Sequence, residues 1–183
     1  RDYQNSDVLH LLKYNIGLYS CFISYGKTQV IAILAKYFYD LGKSVMIVTP
    51  GKKANDEICK RIKKLSGISI PTSDGRMSNI IVQGLLNRGD VKDPEKRIEL
   101  EKQWASYDVI MADEVEYCVN SESGQFLFDR FTGATIRYGF SGTADKKNAE
   151  LISFQNGIDE TVIRNKNLVK YFAKCCKCKK GVF

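Results

Sequence analysis

The residues able to do chemistry fall into two short groups. Gly26-Lys27-Thr28 stands between an apolar run, Leu18 to Ile23, and a stretch in which Val30, Ile31, Ile33 and Leu34 recur at helical spacing. A strand, the turn Ser24-Tyr25-Gly26, Lys-Thr and a helix make the layout of a phosphate-binding loop. Backbone N–H groups and the positive end of the helix converge there on one spot. In that layout Lys27 reaches the β- and γ-phosphates of a nucleotide, and Thr28 places its hydroxyl on Mg²⁺. The full spacing G-x-x-x-x-G-K-[ST] has Cys21 where its first glycine belongs, and Ser24 replaces the first glycine of the shorter G-x-G-K-[ST] form. An ordinary strand-to-helix turn ending in Gly-Lys-Thr is the competing reading, and a carboxylate partner decides against it.

That partner lies in residues 108–114, Asp-Val-Ile-Met-Ala-Asp-Glu. An apolar strand there delivers two adjacent carboxylates at its C-terminal end, where ligands bind in open α/β sheets. Asp113 is placed to hold Mg²⁺ through its water shell. Glu114 is placed to orient and deprotonate an attacking water. Lys27 and Asp113 come in the order a nucleotide hydrolase requires, 86 positions apart.

The elements that must position these groups follow from apolar patterning. Val8, Leu9, Leu11 and Leu12 mark the buried side of a first helix. Leu18 to Ile23 forms a buried strand, and the helix after Lys27 ends at a glycine cap, Leu41-Gly42-Lys43. Val45 to Val48 is a second buried strand. A surface helix over Ala54 to Leu65 turns Ile58, Ile62 and Leu65 inward and is closed by Gly67. Ile68 to Ile70 is a short strand candidate, Pro71 to Arg76 a polar turn, and Asn79 to Val82 another strand. Asp93-Pro94-Glu95 caps and starts a helix that runs to about Ser106. Tyr107 to Ala112 is a strand, Phe126, Leu127 and Phe131 mark a helix, and Ile136 to Phe140 is a last strand. Strands apolar on both faces, alternating with helices, predict an α/β fold with a mostly parallel sheet covered on two sides.

Composition bounds the rest. The 183 residues suit one sizeable core, with 44% hydrophobic and 27% charged content. No apolar run approaches the ~20 residues of a membrane span, so no membrane partner is expected. The chain begins at Arg1 without a methionine or signal peptide and reads as a piece of something longer, in an intracellular, bacterial or phage-infected setting. The net charge of +7 belongs to the tail: seven cations and no acids follow Glu160, while residues 1–163 carry 21 of each. Residues 1–163 thus form the body, and 164–183 a basic tail or linker. Cys175 and Cys178 have the spacing of half a zinc site without a second pair. Cys21, Cys59 and Cys118 read as packed thiols. His10, the sole histidine, and Trp104 read as packing or surface residues.

Together the motifs resemble superfamily 2 helicases, specifically the first of their two RecA-like domains, over nearly the whole chain. Residues 23–28 look like motif I, and Val48-Thr49-Pro50-Gly51-Lys52-Lys53 like motif Ia, which grips a nucleic-acid phosphate. Asp113-Glu114-Val115-Glu116 is similar to the DEAD/DEAH box, and Phe140-Ser141-Gly142-Thr143 to the Ser-Ala-Thr motif that couples hydrolysis to unwinding. Gln83-Gly84 fits the next nucleic-acid-contacting motif loosely. Gln4, in a Tyr-Gln pair, resembles the glutamine that reads the adenine edge. Glu116 stands where histidine or aspartate usually ends the box.

The resemblance implies a three-layer α/β/α sandwich of the P-loop NTPase type, with ATP and Mg²⁺ as cofactors. Gln4, Ser24, Tyr25, Gly26, Lys27 and Thr28 would bind the nucleotide. Thr28 and Asp113 would hold the metal, and Lys27, Asp113 and Glu114 would carry catalysis. Thr49, Pro50, Gly51, Lys52, Glu116, Ser141, Gly142 and Thr143 would contact nucleic acid or couple the sites. The phage-type and DNA-repair-type forms look nearest, which favours DNA, single- or double-stranded, over RNA. The second RecA-like domain, absent from this chain, brings the arginine finger, worth roughly 10³–10⁵ in rate. Weak binding and slow hydrolysis are therefore expected of this half alone. Two other readings stay open: the motor subunit of a restriction or chromatin-type duplex translocase, and a degenerate helicase-like binding module.

Overall fold

The structure, a computed structural model of the chain, describes residues 2–20 and 26–142. Its five strands are β1 (Ile16–Ser20), β2 (Val45–Thr49), β3 (Met77–Ile81), β4 (Val109–Ala112) and β5 (Ile136–Ser141). They form one sheet in the order β1-β5-β4-β2-β3, and every pairing is parallel. All residues of β2 and β4 are buried, as strands covered on both faces must be. The expected α/β architecture, a parallel sheet between two helical layers, is what the chain adopts.

Strand alternation divides the core into two layers. Val45 and Ile47 of β2 face a layer built by α1 (Asp2–Leu11), α2 (Lys27–Asp40) and α3 (Lys52–Ser66). Val30, Ile31, Leu34 and Ile62 are wholly buried there, each worth about 1.5–3 kcal/mol relative to exposure. Met46 and Val48 face the opposite layer, which holds α4 (Gly89–Lys92), α5 (Pro94–Ala105), α6 (Val115–Asn120) and α7 (Glu122–Phe128). Trp104 is buried in that layer and meets Phe126 edge-to-face, a packing role. Asp93 caps α5 as its sequence predicts, accepting from the N–H groups of Glu95 and Lys96.

Register sets where the strands end. Val48 lies opposite Ala112, Ala112 opposite Gly139, and Ser20 opposite Ser141. The C-terminal ends of β1, β5, β4 and β2 are therefore aligned along one edge, the rim of the sheet.

Several expectations are corrected. Strand β1 starts at Ile16, two residues before Leu18. Residues 68–70 form no strand: three residues ahead of Pro71 make too short a ladder, and Ile68 and Ile70 instead pack against the core. Strand β3 begins at Met77, which pairs with Val45, not at Asn79. Leu9 and Leu65 are exposed, at 65% and 42%, because Val8, Leu11, Ile58 and Ile62 already fill the inward positions of their helices. The helix expected around Phe126 is a pair, α6 and α7, broken at Ser121, whose hydroxyl accepts from the Gly124 N–H and caps the second helix. The boundary at residue 163, the tail with Cys175 and Cys178, and Cys21 lie outside the described residues.

Candidate functional site

The rim at the strand ends gathers the two chemical groups. Gly26 precedes α2 with φ of 104°, a left-handed conformation that glycine tolerates. The N–H groups of Gln29 and Val30 donate to the Gly26 carbonyl. No side chain among the described residues caps this end of α2. Among the described residues the leading N–H groups of Lys27 and Thr28 are therefore left to an anion.

Across the rim, the Asp113 N–H donates to the Val48 carbonyl at 2.9 Å and carries the β2–β4 pairing one residue past the strand. Glu114 then adopts φ 43°, ψ 54°, left-handed geometry that is uncommon for a side-chain-bearing residue and costs about 1–3 kcal/mol. That turn lets Asp113 and Glu114, adjacent in sequence, both address one ammonium. Lys27 Nζ lies 2.9 Å from Asp113 Oδ1 and donates a hydrogen bond to Glu114 Oε1.

The electrostatics follow from burial. Desolvation acts to lower the Lys27 pKa, but Asp113 and Glu114 together outweigh it and raise the pKa. Desolvation raises the Asp113 pKa, and the nearby Lys27 charge offsets it only in part. One cation and two carboxylates leave the cluster a formal charge of −1. A divalent cation fits that balance, since it would turn the net charge to +1, the sign a polyphosphate needs. Thr28 and Asp113 both line the same cleft, as does Glu114.

The cleft holds about 880 Å³. Lys27, Thr28, Asp113 and Glu114 line it together with Pro50, Gly51, Lys52 and Lys53 from the rim after β2. Gln83-Gly84 completes this wall. The Val82 and Gln83 N–H groups donate to the carbonyls of Thr49 and Pro50, and a Cβ on Gly51 would lie 3.1 Å from Gln83 Oε1. Thr49 itself is wholly buried, with its hydroxyl directed at the Ile80 carbonyl 3.5 Å away, and does not line the cleft.

The remaining candidates form a supporting layer. Gln4 is buried against Gly26, so closely that a Cβ there would lie 2.1 Å from Gln4 Nε2. Ser141 donates its hydroxyl to Glu116 Oε1 at 3.1 Å. Gly142 borders the charge cluster: a Cβ on it would stand 3.4 Å from Lys27 Nζ and 3.5 Å from Glu114 Oε1. Ser24, Tyr25 and Thr143 lie outside the described residues.

Solved structures share this architecture. The chain superposes on the UvsW helicase of bacteriophage T4 with a TM-score of 0.59 and 14% identity, over 77% of this chain and 51% of that one. A second T4 UvsW structure gives 0.58 and 14%, over 77% and 29%. A hypothetical ATP-dependent RNA helicase of Sulfolobus tokodaii gives 0.55 and 14%, over 79% and 46%. The fold is that of a RecA-like helicase domain. This chain matches about half or less of each of those proteins. No family model and no curated protein matches it.

Within this helicase fold, one cleft residue carries no signal in the sequence. Tyr117 is 62% exposed and lines the cleft three residues after Glu114. In sequence it reads as one of ten tyrosines. Only the left-handed turn at Glu114, after which the Tyr117 N–H donates back to the Glu114 carbonyl, places it at the cleft.

Proposed function

We propose that this chain is the ATP-binding half of an ATP-dependent nucleic-acid helicase or translocase, with DNA the favoured track. The observation that carries the reading is the convergence of Lys27 with Asp113 and Glu114 at the start of α2, in a cleft continuous with Pro50 to Lys53. Two motifs distant in sequence thus meet as a phosphate-binding lysine and a pair of carboxylates must.

In this reading the Lys27 ammonium exchanges its carboxylate partners for the β- and γ-phosphates, alongside the N–H groups at the start of α2. Thr28 and Asp113 would hold Mg²⁺, whose chemistry there is to neutralise phosphate charge. Glu114 Oε1, released by Lys27, accepts the proton of a water aimed at the γ-phosphorus. Gln4 would address the base from behind Gly26. Pro50, Gly51 and Lys52 would hold a backbone phosphate, a contact that positions a strand without reading its sequence. The Ser141–Glu116 hydrogen bond joins the end of β5 to the helix that follows the carboxylates and supplies a coupling element. Full turnover would require a second RecA-like domain.

Calorimetric titration tests the reading, using Mg-ATP on the parent and on Lys27→Ala, with and without single-stranded DNA. Binding lost in the variant, and an ATP affinity that shifts with DNA in the parent, is expected of two linked sites. Equal ATP binding by the two proteins would overturn the phosphate-loop assignment.

A further inference from the structure

The charge of this domain is segregated onto one helix. Residues 1–163 hold equal numbers of cations and acids. Yet α3 carries Lys52, Lys53, Lys60, Arg61, Lys63 and Lys64 against only Asp56 and Glu57, a formal +4. All six cations are exposed. Among the described residues none of the six is ion-paired, whereas several cations on other helices are matched, as Lys36 is with Asp40 and Arg97 with Glu101.

Helical geometry aligns three of them. Asn55, Ile58 and Ile62 are the buried face. Lys53, Lys60 and Lys64, spaced i, i+7 and i+11, fall on the opposite one. At 1.5 Å per residue they span roughly 16 Å of helix. A second groove, of about 560 Å³, is lined by Lys52, Lys53, Asp56, Glu57 and Lys60. It shares Lys52, Lys53 and Glu57 with the main cleft, so the cleft runs out onto the face of α3.

We propose that the outward face of α3, through Lys53, Lys60 and Lys64, is a phosphate track that extends the nucleic-acid path from the cleft across the surface of the domain. The inference rests on the helicase reading and adds a surface beyond the strand-end contacts. The track is electrostatic and indifferent to base sequence, because ammonium groups on flexible stems meet only backbone phosphates. Helix α5, by contrast, balances three cations with three acids. Here the imbalance is concentrated next to the cleft.

The test is the double charge reversal Lys60→Glu with Lys64→Glu, compared with the parent and with Lys92→Glu plus Lys102→Glu. The control cations are exposed, unpaired among the described residues, and lie on helices of the opposite layer. Binding of a fluorescent oligothymidine is measured between low and physiological salt. The α3 variant should bind about tenfold or more weakly at low salt. Its slope of log affinity against log salt should fall by roughly 1.4, from the loss of two single-strand phosphate contacts. Its Mg-ATP affinity without DNA should not change. A parent-like slope, or an equal loss in the control, would overturn the track while leaving the helicase reading intact. No oligonucleotide binding by the parent, with or without Mg-ATP, would overturn both.

Discussion

Ser141 closes β5, and its hydroxyl reaches 3.1 Å to Glu116 Oε1 on α6, so the end of β5 is joined to the helix that follows β4 by a side-chain hydrogen bond. Ser141 is 1% exposed, so the serine end of this part-buried bond is held inside the fold. Ser141→Ala should therefore cost about 1–2 kcal/mol of stability. In a protein containing both motor domains, it should reduce stimulation of hydrolysis by nucleic acid more than it reduces ATP affinity. Thermal unfolding and the ratio of stimulated to basal turnover measure the two effects. An unchanged ratio would remove this contact from any coupling role.

Gly26 is required twice over. Its φ of 104° is costly for any residue with a Cβ, and that Cβ would fall 2.1 Å from Gln4 Nε2. Gly26→Ala should lower stability by about 2–3 kcal/mol and weaken nucleotide binding. Adding Gln4→Ala removes the overlap but not the backbone strain, so it should restore only part of the loss. Denaturant midpoints of the single and double variants separate the two contributions. Full recovery would show that the conformation of Gly26 costs nothing.

Asp108 ties β2 to β4 at their starts. It accepts from the Ser44 N–H at 2.9 Å and the Ser44 hydroxyl at 3.0 Å. These bonds to Ser44, with Lys43 nearby, lower its pKa despite an opposing desolvation. A carboxylate held lower in the folded state than in the unfolded one stabilises above the unfolded pKa, near 4, and loses that contribution as pH falls through the folded value. Asp108→Asn should therefore flatten the acid limb of the stability curve below about pH 4. Denaturation midpoints taken across that range check it, and an acid limb identical to the parent's would contradict it.

In the proposed reading Glu114 needs its carboxylate for proton transfer but not for its shape. Glu114→Gln keeps the volume and can still accept from Lys27 through its amide oxygen. In a two-domain protein it should retain Mg-ATP binding and lose turnover by about 10²–10⁴. Single-turnover hydrolysis beside equilibrium binding is the measurement. Undiminished turnover would move the base to another residue.

The sequence by itself determined the architecture and the chemical candidates. Runs apolar on both faces, as in Val45 to Val48, can be buried only between two helical layers, and glycine, proline and Asp93 marked the element ends locally. Lys27, Asp113 and Glu114 were legible because each follows directly from a strand or opens a helix. Exposure at Leu9 and Leu65 was not legible, because helical spacing gives a face but not the area that neighbours cover. Nor was the strand candidate at 68–70 resolved, since three apolar residues do not define a period. The tertiary structure alone decided how the distant groups combine. Parallel register aligned the strand ends and so brought Lys27 to Asp113. A left-handed turn at Glu114 aimed its carboxylate at Lys27 and set Tyr117 at the cleft. Burial took Thr49 out of the cleft, and the groove beside Lys52 and Lys53 joined the charge of α3 to it. These relationships depend on contacts between segments tens of residues apart, which local spacing does not encode.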